Sequence, residues 1–133
     1  MVKEELLKQI KRDFLPIINE KTILGILLFG SYSRGNQTSL SDIDLCVVAP
    51  EENPIELYTL FSTNINLFSK RYDIKFFSKL PLYMQIRVIE EGIVVYSPDE
   101  LELYEYFYHF RKLWADQKHR QQLSRDELLS LLE

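Results

Sequence analysis

Two dense apolar stretches, Ile23–Phe29 (ILGILLF) and Asp42–Ala49 (DIDLCVVA), stand out from a chain whose other apolar positions recur mostly at helical spacing. Both read as buried strands, the first closed by Gly30 and the second by Pro50. Arg71–Phe77 (RYDIKFF) alternates with the period of a strand, placing Asp73, Lys75 and Phe77 on one face, and Ile93–Tyr96 is a short fourth strand. Leu7, Ile10, Phe14 and Ile17 predict a first helix, which Pro16 should end early or kink. Asn53-Pro54 supplies a cap and a first-turn proline for a helix toward Phe68. Leu82, Ile86 and Ile89 predict a third helix after Pro81, stopped by Gly92. Ser97-Pro98-Asp99-Glu100 is a capping box opening a helix to about His119, and Ser124-Arg125-Asp126-Glu127 is a second box before a short last helix. Strands interspersed with helices make this an α+β chain. No repeat, low-complexity tract or linker divides it, so residues 1–133 are expected to form one domain.

The C-terminal helix concentrates aromatics. Leu103, Phe107, Phe110 and Trp114 form a stripe, flanked by Tyr104 and Tyr108. Such a stripe most often packs on a sheet, but the two rows together are broader than a small domain covers. An exposed remainder would favour a protein interface, making 98–133 a partner-binding extension.

Candidate chemistry lies between the first two strands: Gly30-Ser31, ten residues, then Asp42-Ile43-Asp44. On a strand Asp42 and Asp44 share a face, about 6–7 Å apart at Cα, while Ile43 and Leu45 point the other way. At an effective dielectric of about 20 the two ionised carboxylates repel by roughly 2 kcal/mol, so a cation is expected between them or one should titrate high. Mg²⁺ suits such a site, because it binds through one or two carboxylates and completes its shell with water and phosphate oxygens. Gly30 lets the chain turn sharply beside a ligand, and Ser31 offers a hydroxyl and backbone N–H groups to phosphate. Arg34 and Ser41 stand close enough in sequence to add a guanidinium fork and a second hydroxyl. Gly30 and Gly35 also satisfy P-loop glycine spacing, yet Asn36-Gln37 stand where Lys-Ser/Thr would be required, which removes that reading.

The run GSYSRGNQTSLSDIDLCVV resembles the signature of nucleotidyltransferases of the DNA polymerase β superfamily, and the short chain is similar to its minimal nucleotidyltransferases. The resemblance implies a small mixed β-sheet flanked by helices. It also implies a third carboxylate on a neighbouring strand, for which Asp73 fits. The plainer alternative for Asp73 is an ion pair with Arg71 or Lys75 at a solvated edge. By resemblance, Asp42, Asp44 and Asp73 are catalytic and hold two Mg²⁺ ions, with Mn²⁺ an acceptable replacement. Gly30, Ser31, Arg34 and Ser41 bind the triphosphate of ATP. Minimal members commonly act as antitoxins that transfer AMP to a tyrosine of a partner HEPN ribonuclease toxin. Transfer to a small-molecule acceptor, or neutralisation by binding alone, are the alternatives. A hetero-oligomer with the toxin or a homodimer is expected, because a chain this short lacks room for a separate acceptor domain. Arg111 and His119, with seven residues between them, are spaced too widely for the HEPN nuclease motif itself.

Composition narrows the setting. The 133 residues are 46% hydrophobic and 27% charged, which excludes a mainly disordered state. Net charge is −4, and no long basic run appears, so direct nucleic-acid binding is not expected. Lys70-Arg71 and Lys118-His119-Arg120 read as solvated faces. Cys46, the single cysteine, sits in an apolar strand as a core thiol. With no signal peptide and no membrane-length apolar run, the expected compartment is the cytoplasm.

Overall fold

The computed structural model describes residues 2–19, 21–30, 32, 35 and 41–132. Four strands form one mixed sheet: β1 (Gly25–Phe29), β2 (Ile43–Val48), β3 (Tyr72–Phe76) and β4 (Ile93–Tyr96), in the order β3-β2-β1-β4. β1 runs antiparallel to both neighbours, while β2 and β3 are parallel. Each strand lies within the stretch predicted for it. The helices are α1 (Val2–Ile18), α2 (Pro54–Asn64), α3 (Leu82–Glu91) and α4 (Glu100–Leu132).

The sheet separates two apolar layers. Ile26 and Leu28 of β1, Ile43, Leu45 and Val47 of β2, and Tyr72 and Ile74 of β3 pack with α1 and α2. On the other face Leu27, Cys46 and Val48 pack with Phe77, Val88 of α3, and Leu103 and Phe107 of α4. The strand alternation read from sequence thus assigns each side chain to one layer.

Helix limits differ from the sequence reading in four places. α1 passes through Pro16 and ends two residues later at Ile18, with Leu6, Ile10, Phe14 and Ile18 buried. A proline in the last turn forfeits one hydrogen bond, which the burial of Phe14 and Ile18 outweighs. Phe14 meets Phe61 edge-on at 5.1 Å. α2 begins as expected, Asn53 Oδ1 accepting from the N–H groups of Ile55 and Glu56, but it stops at Asn64, where Ile65 turns extended. At the head of α4 Asp99, not Ser97, provides the cap: its Oδ1 accepts from Leu101 and Glu102 N–H, while Ser97 Oγ donates to Leu24 O. α4 then runs unbroken for 33 residues, so the second capping box opens no new helix. Neither Gly nor Pro follows Pro98, and nothing forces Ser124 out of helical geometry. Leu103 and Phe107 of the predicted stripe are buried and Phe110 and Trp114 half-buried, whereas Tyr104 and Tyr108 face solvent. Beyond Trp114 every described side chain of α4 is exposed.

β3 ends at Phe76, and Phe77 begins a 3₁₀ turn to Lys79. Phe77 sits edge-on to Phe110 at 4.9 Å and tilted to Phe107 at 5.3 Å, pinning α4 to the sheet. Gln85, the one buried polar side chain among the described residues, donates to Phe77 O at 2.9 Å. Cys46 is fully buried, and burial pushes its thiol up to about 12. No described helix is long and apolar enough to cross a membrane.

Candidate active site

Register brings the two inner carboxylates together. Asp44 of β2 is paired across the ladder with Asp73 of β3 on one side and with Phe29 of β1 on the other. Parallel neighbours at the same level stand roughly 5 Å apart, so both side chains emerge side by side. They emerge on the face covered by α3 and α4, whose buried residues on β1 and β2 are Leu27, Cys46 and Val48.

The electrostatics follow from that placement. Asp44 is pushed up to about 6. Removal from water is the largest cause, followed by the charge of Asp73, a hydrogen bond between the two carboxyl groups, and the more distant charge of Asp42. Lys75 opposes the shift. Its Nζ lies 3.7 Å from Asp73 Oδ1, with both side chains substantially exposed. Asp73 therefore makes the edge pairing that the plainer reading anticipated, yet also faces Asp44.

Gly30 closes the pair from the β1 side. It has φ of +73°, and a Cβ built on it would overlap Asp44 Oδ2. Only glycine satisfies both the backbone and the close approach of the carboxylate. The turn predicted from sequence is thus sterically coupled to the acidic strand.

Asp42 stands just before β2 and is exposed, and Ser41 beside it is partly buried. Among the described residues, no three His, Cys, Asp or Glu side chains gather closely enough to hold a metal ion. The structure brings Asp44 and Asp73 together but leaves Asp42 at their edge. Ser31 and Arg34 lie outside the described residues. The donor chemistry fits a hard divalent cation: two carboxylates are forced close enough to share a proton, and a cation between them would replace that proton.

Beside the acids a cavity of about 680 Å³ is lined by Asp42, Asp73, Tyr72, Arg71 and the segment Leu67–Ser69. Its wall is tied down. Arg71 adopts φ of +60°, and its carbonyl accepts from Ile43 N–H at 2.7 Å, joining this loop to the start of β2. Tyr72 donates its hydroxyl to Asp13 Oδ2, and Lys70 Nζ lies 2.7 Å from Asp13 Oδ1. Lys70, read from sequence as part of a solvated basic face, is therefore an anchor to α1. Asp13, Lys70 and Tyr72 escaped the sequence reading as site-supporting residues, because nothing local links a residue of α1 to a loop 57 positions later.

Comparison with known proteins identifies relatives of this chain and of its fold. The family model described as "Polymerase beta, Nucleotidyltransferase" matches residues 13–101. A Methanocaldococcus jannaschii protein provisionally named a protein adenylyltransferase is 41% identical over 98 residues, covering 74% of this chain and 75% of its own. A second protein of that organism with the same provisional name is 30% identical over 70 residues, covering 53% of this chain and 70% of its own. Among solved structures, a chain of a toxin–antitoxin crystal structure with AMP-PNP superposes with a TM-score of 0.66 at 20% identity, covering 90% of this chain and 98% of that one. A chain from the complex of a tri-AMPylated Shewanella oneidensis HEPN toxin with an MNT antitoxin gives 0.66 at 16% identity, covering 96% and 98%. At these identities the structural likeness speaks to the fold. The mixed sheet, the glycine turn against Asp44, and a family match spanning all four strands lead to one conclusion: the chain belongs to the polymerase β nucleotidyltransferase family.

Proposed function

We propose that this chain is a metal-dependent protein adenylyltransferase that transfers AMP from ATP to a tyrosine of a partner HEPN ribonuclease, acting as the antitoxin of the pair. The observation that carries the reading is Asp44 facing Asp73 across the β2–β3 ladder, with Gly30 against Asp44. Relatives named as protein adenylyltransferases, and fold neighbours drawn from toxin–antitoxin complexes, support the choice of acceptor.

Asp44 and Asp73, with Asp42 joining from their edge, would hold two Mg²⁺ ions, or Mn²⁺, whose chemistry would be to neutralise charge at the α-phosphate and to lower the pKa of the attacking hydroxyl. The chain's own residues do the rest. The backbone at Gly30, with Ser31, Arg34 and Ser41, binds the triphosphate. Asp73, on the outer side of the acidic pair, receives the proton of the acceptor hydroxyl. The phosphorus–oxygen bond to AMP forms as the bond to pyrophosphate breaks, and positioning and charge stabilisation supply most of the acceleration. Residues 1–133 act as one domain in the cytoplasm, and 98–133 form the partner-facing extension, with Tyr104 and Tyr108 exposed on it.

Co-expression with the HEPN partner followed by intact-mass spectrometry tests the reading. The partner should gain one or more AMP units, and Asp44→Asn should remove them. The exposed tyrosine row favours one second reading, neutralisation by contact alone. Neutralisation that survives Asp44→Asn with no mass gain in the wild type would select it.

A further inference from the structure

Phe68 is 95% exposed, the most exposed large hydrophobic side chain among the described residues. Leaving a whole phenyl ring in water forgoes roughly 2 kcal/mol of burial, and a loose loop would let it fold back onto nearby apolar surface. This loop is not loose. Asn66 Oδ1 accepts from Ser69 N–H at 3.1 Å, Asn66 O from Lys70 N–H at 3.2 Å, Phe68 O from Arg71 N–H at 3.2 Å, and Leu67 O from Tyr72 N–H at 2.9 Å. Lys70 is held by Asp13, and Leu67 is buried, so the backbone on both sides of the 68–69 tip is fixed while the ring stands in solvent. Phe68 is among the residues lining the same cavity as Asp42 and Asp73.

Its side of the site is decisive. The sheet order β3-β2-β1 puts Gly30 at the end of β1, the acidic pair across β2 and β3, and Phe68 just before the outer strand β3. A nucleotide held at Gly30 therefore approaches the acids from β1, and the cavity with Phe68 is left to the second substrate. We propose that Phe68 is the acceptor-side platform, an exposed ring on a braced loop that packs against the acceptor protein segment beside Asp73. Preorganisation explains the hydrogen bonds around it, since a loop already fixed in place loses little backbone entropy on contact. The proposal rests on the adenylyl-transfer reading and adds a specificity residue to it.

The test compares wild type, Phe68→Ala and Phe68→Tyr in AMP transfer to the HEPN partner, alongside titration of each with a non-hydrolysable ATP analogue and Mg²⁺. Aromatic contacts of this kind shift binding by roughly 3- to 10-fold. Phe68→Ala should raise the KM for the partner by that factor, with kcat and nucleotide affinity unchanged, and Phe68→Tyr should restore the wild-type KM. Circular dichroism should be the same for all three. An unchanged partner KM in Phe68→Ala, or a loss of nucleotide affinity in its place, overturns the platform and leaves the enzyme intact. A wild-type chain that transfers no AMP overturns the proposed function, and the platform with it.

Discussion

The two faces of β2 carry opposite instructions six residues long. On the α1/α2 side Ile43, Leu45 and Val47 enter a continuous apolar layer, whereas on the α3/α4 side Asp44 precedes Cys46 and Val48. One face is uninterrupted core. The other begins as a site and becomes core one residue pair later. Stability and the proposed reactivity are thus carried by alternate residues of one strand.

Adjacent substitutions should break that comparison most sharply. Leu45→Ala should cost about 2–5 kcal/mol in urea denaturation, through lost burial and the cavity left behind. Asp44→Asn one position away should leave metal-free stability unchanged or raised, because a like-charge contact is relieved, while abolishing transfer. A large destabilisation by Asp44→Asn would mean that the carboxylate belongs to the core.

The titration of Asp44 sharpens the same contrast at smaller amplitude. A carboxyl group raised from 3.8 to about 6 binds its proton more tightly when folded. Its contribution is complete below the unfolded value and is lost as pH rises through about 6. Metal-free protein should therefore lose about 2 kcal/mol between pH 4 and 7 after allowance for solvent screening, and Asp44→Asn should flatten that slope. Mg²⁺ with nucleotide should reverse the trend, because ions that bind the charged pair favour its deprotonation.

Two glycines provide the finest comparison. Gly30 and Gly35 have φ of +73° and +77°, but a Cβ on Gly30 overlaps Asp44 whereas one on Gly35 meets nothing within 4 Å. Gly35→Ala should cost only the backbone penalty of about 1 kcal/mol. Gly30→Ala should cost more and shift Asp44, visible as a changed pH slope as well as reduced transfer. Equal effects of the two would mean that Asp44 does not rest on the glycine turn.

Local signals made most of this legible. Dense apolar runs located β1 and β2, alternation located β3, β4 fell where a short strand was expected, and two-residue spacing set Asp44 on the face opposite Ile43 and Leu45. The Asn53-Pro54 pair marked its helix start, and Gly92 marked a stop. What escaped was non-local. Family resemblance brought Asp73 to the acidic pair, but nothing local reveals that it shares a ladder level with Asp44, because register depends on the whole sheet. The passage of α1 through Pro16, and of α4 past Ser124, was decided by packing and by the lack of any breaker rather than by the local motif. Ser97 resembled a cap but was drawn to Leu24 O, leaving the role to Asp99, two residues on. The Asp13–Tyr72–Lys70 brace required knowing which helix lies beside which loop.

Cys46 gives the molecule an internal clock. Two residues from Asp44 on the same strand face, the thiol is sealed from reagents and barely ionised near neutral pH, roughly one part in ten thousand at pH 8 for a group near 12. Alkylation must await an opening of the sheet, so the labelling rate reports how often the strand that carries the acidic site comes apart. Slowing of that rate when nucleotide and divalent ion are added would measure, without any partner protein, how firmly the reactants clamp the strand.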